Sequence, residues 1–560
     1  MRCAFVIILM VLFWTTECLP LAVTGLVPMI LYPMLSLVSA SELAPKYMAE
    51  SNIAFVGSIM VINAFEKVGL HKRFALSVLM VVGSQPRWLL AGFMVVSWFL
   101  SMWCSNTMTT VLLIPIVISV TSELRCALDK AIQDQLRKEK RQKAEQIESG
   151  SGLEMTKIQS TDEDNEDKED EEEEHEPIEV PQSLIDSYGH HRYENMLLLA
   201  IAYSASIGGT GTVIGTGPNL IMKEQLEKAY TEKGCLSPLN FLSWMMYAIP
   251  MSFIMLIVLW VWMLIYWFGP MYTFGFKRSP LQKHSARISL VVKNIYNELP
   301  PFDAEQIIVA IHCLVMIVLL VTRQLSSDPP IGWELMALGY VKESTATIIV
   351  ALSLFIFPVK WSRRDPNTGK MLPPESAINW ANEEKNFPFG LILLIGGGMA
   401  AAFGAEESGL ASVLASLLNQ LVQNLDDVVA LLVMIVFMIF VTEFMSNTAC
   451  VTLMMPIYKE LAEIRGVNPM LFMFPTALSA SFAFMFPVAT PPNALIFQTG
   501  KFRIIDMIRA GFMVNILGIG VSMLAATTFG NAMFGLTTVP WELDFQNSTH
   551  ATYNCVSTSI

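Results

Sequence analysis

The sequence predicts an all-α polytopic membrane protein built from two inverted-topology repeats, each holding a re-entrant helical hairpin and a broken transmembrane helix. Three observations predict it. The chain has 560 residues, 53% of them apolar and only 15% charged, with a mean hydropathy of +0.49, well outside the soluble range of about 25% charged residues. A polar triplet occurs twice inside apolar sequence, Ser105-Asn106-Thr107 in SMWCSNTMTTVLLIPI and Ser446-Asn447-Thr448 in TEFMSNTACVTLMMPI, each with a proline ten residues after its serine (Pro115, Pro456). A second pair of stretches, SASIGGTGTVIGTGPNLI from Ser204 and SASFAFMFPVATPPNALI from Ser479, follows the triplets in the same order.

Spanning takes about 20 apolar residues. Apolar runs fall near 4–16, 19–38, 52–70, 88–124, 194–222, 241–268, 304–322, 343–359, 388–404, 428–457, 470–498 and 508–530. The runs at 88–124 and 428–457 carry the triplets at their centres, so each reads as a hairpin that enters and leaves on one side with the triplet at its tip. The runs at 194–222 and 470–498 carry Gly, Thr and Pro mid-segment and read as helices broken halfway across. Irregular backbone survives at that depth only where it lines a cavity, so these breaks point to a site at the bilayer midplane.

Orientation follows from Lys and Arg, which are in excess in cytoplasmic loops. Five groups mark the inside: His71-Lys72-Arg73; seven basic residues from Arg125 to Lys143; Lys277, Arg278, Lys283, Arg287 and Lys293; Lys360, Arg363, Arg364 and Lys370; Lys501 and Arg503. Placing all five inside requires hairpin 88–124 to open to the cytoplasm and hairpin 428–457 to the outside, giving the halves, about 4–268 and 304–530, opposite topology. The same count puts the C-terminus outside, where Asn547-Ser548-Thr549 is a glycosylation sequon with Asn547 as acceptor.

The chain divides accordingly. Residues 1–124 form the first part of repeat one, 125–192 a cytoplasmic loop, 193–268 the second part, 269–303 a cytoplasmic linker, 304–530 the second repeat and 531–560 an extracellular tail. The loop opens basic and becomes TDEDNEDKEDEEEEHE, with thirteen acidic residues against one lysine between Thr161 and Val180, so the net charge of −13 is local. Such a block cannot bury apolar surface and is expected to be disordered. It reads as a solvated insertion, with partner docking or cation sensing as the alternative.

A hairpin tip and a helix break create free helix ends, whose N-terminal amides favour anions and whose C-terminal carbonyls favour cations. Ser, Asn and Thr add short oxygens and amides there. Hard Na⁺ is satisfied by several neutral oxygens and a carboxylate by several N–H and O–H donors, so one such site can hold both. Neither hairpin core carries Lys or Arg. A multiply charged anion therefore needs cations bound alongside it, which favours symport over a bare anion pore. Small polar residues also glue membrane helices together. Two triplets with the same downstream proline, each followed by a break ending Thr-x-Pro-Asn (Thr216 to Asn219, Thr490 to Asn493), favour a site instead.

Other motifs carry less. Gly208-Gly209-Thr210-Gly211 has the wrong spacing for a dinucleotide fingerprint and no following GK[ST], so it reads as a helix breaker. Glu443 is an intramembrane carboxylate, either functional or a paired structural group. Glu406-Glu407 and Asp426-Asp427 read as solvated interfacial charges. Eight cysteines, at positions 3, 18, 104, 126, 235, 313, 450 and 555, form no CxxC pair, and the seven histidines include no HExxH, so neither a disulfide framework, a zinc site nor metal catalysis is indicated. No enzymatic chemistry and no cofactor besides Na⁺ as coupling ion are expected.

These residues resemble the divalent anion/sodium symporters that carry citrate and other di- and tricarboxylates. The resemblance covers RCAFVIILM, LHKRFAL, the two SNT hairpins, LILLIGGG and SASFAFMFPVATPPNA, and Ser481-x-x-Phe484-x-x-Pro487-Val488-Ala489 followed by Asn493 is similar to the family signature. It implies one Na⁺ held by Ser101, Ser105, Asn106 and the backbone at Gly215, and another by Thr442, the Met445 carbonyl, Asn447 and the Ala489 carbonyl. It implies substrate carboxylates against Asn106, Thr107, Ser446, Asn447, Thr448, Thr490 with Pro491, and Thr216. It also implies a plasma-membrane homodimer in which a fixed scaffold supports a moving part, an elevator-type transporter. Family members carry a further transmembrane helix upstream of the segment that begins at Arg2, so the resemblance implies that a first helix is absent here, and the charge count places Met1 outside.

The expected function is a sodium-coupled symporter importing di- or tricarboxylates such as succinate, malate and citrate. The alternatives are a sodium-independent exchanger or channel for dicarboxylate or sulfate on the same scaffold, a non-transporting truncated isoform, and an intracellular scaffold or sensor acting through the acidic loop.

Overall fold

The computed structural model describes residues 1–16, 18–82, 85–123, 125, 190–273, 286–327, 330–337, 340–360, 371, 374–487, 489–499, 503–544 and 552–555. The acidic run Thr161 to Val180, the sequon at Asn547, and Arg363, Arg364, Lys370 and Lys501 lie outside the described residues. Among the described residues six helices are long and apolar enough to cross a membrane: Ala40–Lys67, Asn106–Glu123, Phe241–Phe268, Ala304–Arg323, Phe389–Glu407 and Ile504–Phe534. Shorter apolar helices at Arg2–Thr16, Leu21–Met34, Pro86–Ser101, Glu343–Ile356 and Pro469–Ser479 fill in between them. Among the described residues three antiparallel two-stranded ribbons, Ser326–Ser327 with Pro330–Ile331, Pro358–Lys360 with Glu375–Ser376, and Trp541–Asp544 with Thr552–Cys555, are small additions to the helices.

Both triplets sit between two helical arms. In the first half the arms are Pro86–Ser101 and Asn106–Glu123. The Tyr193 hydroxyl donates to the Pro86 carbonyl at 3.1 Å, and the Thr121 hydroxyl donates to Glu194 at 3.1 Å. The start of one arm and the end of the other therefore meet neighbouring residues of a third helix, and the chain enters and leaves on one side. In the second half the arms are Asp427–Thr442 and Asn447–Arg465, and Arg465 closes them at the base by donating to Asp427 at 2.7 Å and to the Val422 and Leu425 carbonyls at 3.0 and 2.7 Å. A first arm of 16 residues in each hairpin reaches about 24 Å, short of the roughly 30 Å hydrocarbon core, so neither arm crosses it alone.

The broken helices follow their hairpins. The first runs His190–Gly208, unwinds, makes one 3-10 turn at Val213–Gly215, and resumes as Gly217–Thr231. The second runs Pro469–Ser479 and resumes as Pro491–Gln498. Proline at the start of each resumed helix costs no hydrogen bond, because the first-turn N–H has no helical partner in any case.

Phe241–Phe268, 28 unbroken residues and about 42 Å long, measures the molecule from face to face. At its C-terminal end Phe268 packs on Tyr193, and Trp260 donates to the Arg87 carbonyl at 3.0 Å, which is the base of the first hairpin. Its N-terminal end follows Tyr230, whose hydroxyl donates to Asn468 at 3.0 Å beside the base of the second hairpin. The two hairpins thus open on opposite faces, as inverted repeats require.

Several sequence expectations are corrected. His71-Lys72-Arg73 is not a loop but the first turn of helix Leu70–Val82. The first broken helix continues beyond 222 to Thr231, because its later face carries ion pairs rather than apolar surface. The last spanning helix runs past 530, through a π turn at Ala526–Gly530, to Phe534. Helix Leu410–Val422 has no counterpart in the list of apolar runs; it meets Asp427–Thr442 at 115°. Glu406 is not a solvated surface charge. It pairs with Lys228, and Lys459 lies 3.8 Å away. Cys235 is disulfide-bonded, where the cysteine spacing had indicated no bridge.

Candidate functional site

The first hairpin tip is knit to itself and to the first break. Ser101 at the end of one arm donates to Asn106 Oδ1 at the start of the other, at 2.5 Å. Ser105 accepts from the Met108 amide at 3.2 Å, satisfying one of the orphan donors of the second arm. Thr212 in the break donates to the Met102 carbonyl in the turn at 2.5 Å. The approach is close enough to need glycine. A Cβ on Gly209 would lie 2.4 Å from Asn106 Oδ1, and one on Gly215 would lie 2.4 Å from the Gly209 carbonyl oxygen and 3.2 Å from that of Met102.

The second tip repeats the plan. Thr442 Oγ1 lies 2.7 Å from Asn447 Oδ1 and 2.8 Å from the Ala480 carbonyl oxygen in the second break. Thr490 caps the resumed helix by accepting from the Asn493 amide, whereas Thr216, at the matching cap, makes no side-chain cap bond. The halves meet at Gly217, where a Cβ would stand 3.0 Å from Thr448 Oγ1. The first break therefore touches both tips, through Gly209 and Gly217.

The last residue of each Thr-x-Pro-Asn has a task that the motif itself does not reveal. Asn219 Nδ2 donates to the Gly209 and Thr212 carbonyls at 2.9 and 2.7 Å, and Asn493 Nδ2 to those of Ala483 and Phe486 at 3.0 and 3.2 Å. Both side chains are fully buried. They cross-brace the unwound backbone, whose polar groups would otherwise be unpaired at membrane depth.

The sodium:sulfate symporter transmembrane region model matches residues 1–536. The chain belongs to this family. It is 35% identical to the Na(+)/dicarboxylate cotransporter 3 of Rattus norvegicus over 98% of this chain and 90% of that protein. It is 34% identical to the Na(+)/citrate cotransporter of the same species, over 98% of this chain and 93% of that protein. Among solved structures, the YdaH transporter of Alcanivorax borkumensis gives a TM-score of 0.49 at 12% identity, covering 87% of this chain and 86% of that one, a distant likeness. The chain is a multi-pass member of a transporter family, not an enzyme.

In this family member the polar residues at the tips are graded in exposure. Ser105 is exposed; Asn106, Thr107, Thr216, Ser446 and Asn447 are half-buried; Ser101, Gly215, Thr442, Thr448 and Thr490 are buried. Met445 lies in the turn of the second tip, Ala489 in the second break, and Pro491 is the exposed first residue of the resumed helix. The donor set is neutral hydroxyl, amide and carbonyl oxygen, suited to a hard cation of low charge. Among the described residues no cluster of three or more His, Cys, Asp or Glu offers a site for another metal.

Glu443, left open by the sequence, is a brace. Its carboxylate accepts the amides of Phe484 (2.8 Å), Met485 (3.0 Å to each oxygen) and Phe486 (3.2 Å), and Asn515 Nδ2 at 2.6 Å. The second break is thereby held through its N–H groups by Glu443 and through its carbonyls by Asn493.

Proposed function

We propose that this chain is a sodium-coupled symporter that imports di- or tricarboxylates across the plasma membrane. The observation that carries the proposal is the duplicated junction, Ser101–Asn106 on the first break and Thr442–Asn447 on the second, formed wholly from neutral oxygens and amides. The relatives, a Na(+)/dicarboxylate and a Na(+)/citrate cotransporter, support Na⁺ as the ion and carboxylates as the substrate class.

One Na⁺ would sit between Ser101, Ser105, Asn106 and the backbone at Gly215, and a second between Thr442, Asn447 and the carbonyls of Met445 and Ala489. In each junction an Asn amide oxygen already lies against a hydroxyl. A cation drawing on that oxygen orients the amide N–H groups outward, where they can donate to a substrate carboxylate together with Thr107, Thr216, Ser446, Thr448 and Thr490 and the helix end at Pro491. Substrate then meets donors that Na⁺ has aligned, and its negative charge is balanced by the ions beside it. That is a reason for coupling. Alternating exposure is read as an elevator motion within a homodimer, with the tail of residues 531–560 outside the cell.

The test is uptake of labelled succinate, citrate and sulfate into cells expressing the chain, in Na⁺ and in choline medium, with surface protein quantified. Na⁺-dependent carboxylate uptake is the expected result. Uptake that persists in choline would replace symport by exchange or a channel, and Na⁺-dependent uptake of sulfate alone would replace the substrate class.

A further inference from the structure

Cys235 is disulfide-bonded, and the fold leaves one partner for it. Of the eight cysteines, Cys3, Cys18, Cys104, Cys313 and Cys450 are free thiols. Cys126 and Cys555 remain. Cys126 is next in sequence to Arg125, which ends the described second arm of the first hairpin, and that arm's end is fixed beside Glu194 by Thr121. That base lies at the Phe268 end of helix Phe241–Phe268, while Cys235 precedes its other end, so Arg125 and Cys235 stand at opposite ends of a helix about 42 Å long. A disulfide needs Cα atoms within about 7 Å.

Cys555 is on the correct side. In the C-terminal ribbon it pairs in register with Trp541. The Trp541 ring packs edge-on against Tyr230, with centroids 5.4 Å apart, and Lys233 Nζ lies 6.0 Å from it. The turn that follows Tyr230 presents Cys235 rigidly: Gly234 adopts φ +72°, and the Cys235 amide donates to the Tyr230 carbonyl at 3.0 Å. Residues paired across antiparallel strands stand about 4.5–5.5 Å apart, which brings the Cys555 backbone alongside the same Tyr230–Cys235 turn.

We propose that Cys235 and Cys555 form a disulfide that staples the C-terminal ribbon to the end of the first broken helix, on the non-cytosolic face of the membrane. The two thiols give up two protons and two electrons, and an oxidised dithiol protein of the secretory pathway is reduced to its dithiol in exchange. The staple ties the tail to the element that carries Thr216 and Gly217, so the ribbon must travel with that helix. The inference needs only the membrane fold and is independent of the ion and substrate proposed above.

The full chain, expressed in animal cells, alkylated in the membrane and digested with chymotrypsin without reduction, is expected to yield residues 231–236 joined to residues 554–560, a species that disappears on reduction. Recovery of Cys235 in alkylated form, or joined to Cys126, would overturn the pairing. On intact cells a membrane-impermeant reductant followed by an impermeant maleimide is expected to label both cysteines, with the reductant-dependent signal lost in the C235S/C555S double variant. Labelling that requires permeabilised cells would overturn the proposed side.

Discussion

Asn219 and Asn493 make the same pair of hydrogen bonds in the two halves: each side-chain amide donates to the carbonyls ten and seven residues before it. A carbonyl left unpaired at membrane depth has no water to turn to, so two donors on one side chain are an economical brace for an unwound turn. The relationship is a repeat symmetry at the level of single atoms. It makes these two residues supports for the proposed ion and substrate positions rather than ligands.

Asn219→Asp and Asn493→Asp keep the size of the side chain and replace the donor with an acceptor facing two carbonyls. Leaving buried groups unpaired costs about 1–3 kcal/mol, and Na⁺-driven uptake is expected to fall by about tenfold or more. The apparent Na⁺ affinity should fall with it. Surface biotinylation and a Na⁺ titration check this; a normal Na⁺ dependence in both variants would leave the braces without a role.

Asn106→Ala and Asn447→Ala remove the amide that lies against Ser101 and Thr442. Each is expected to abolish Na⁺-driven uptake while the protein still reaches the surface. Wild-type rates in either variant would remove that tip from the site.

Gly209→Ala and Gly215→Ala put a Cβ 2.4 Å from Asn106 Oδ1 and from the Gly209 carbonyl oxygen, respectively. Both should sharply reduce transport, because backbone and tip cannot both keep their places. Gly520→Ala, where nothing lies within 4 Å, serves as the control and should transport normally.

Glu343 is buried and bonds Lys223 at 2.7 Å and Arg323 at 3.2 Å, joining the first broken helix to Ala304–Arg323. Breaking a buried pair from one side costs about 3–5 kcal/mol. Glu343→Ala should therefore lower the melting temperature of the detergent-purified protein and its surface level. Lys223→Met with Glu343→Gln, which removes both charges of that pair, should recover part of the loss in the same assays.

The hairpins, the breaks and their pairing were legible in the sequence because they are local: a polar triplet or a Gly-Pro cluster inside an apolar run leaves few structures possible in lipid. The tasks of Asn219, Asn493 and Glu443 were not, because each depends on which carbonyls or amides an unwound backbone presents. Helix Leu410–Val422 escaped because it lies between a spanning helix and a hairpin arm, and its apolar residues are too few to read as a span. The bond at Cys235 and the pairing of Glu406 with Lys228 join residues distant in sequence, and no spacing rule reports them.

Coupling is tested by counting both species at once in proteoliposomes holding the purified chain, with radiolabelled sodium and radiolabelled succinate or citrate. With coupling, an inward Na⁺ gradient drives carboxylate uphill and an inward carboxylate gradient drives Na⁺ uphill, and both are lost in Asn106→Ala. Carboxylate that equilibrates across the membrane equally well with Na⁺ absent, and moves no Na⁺ when it does, would contradict it.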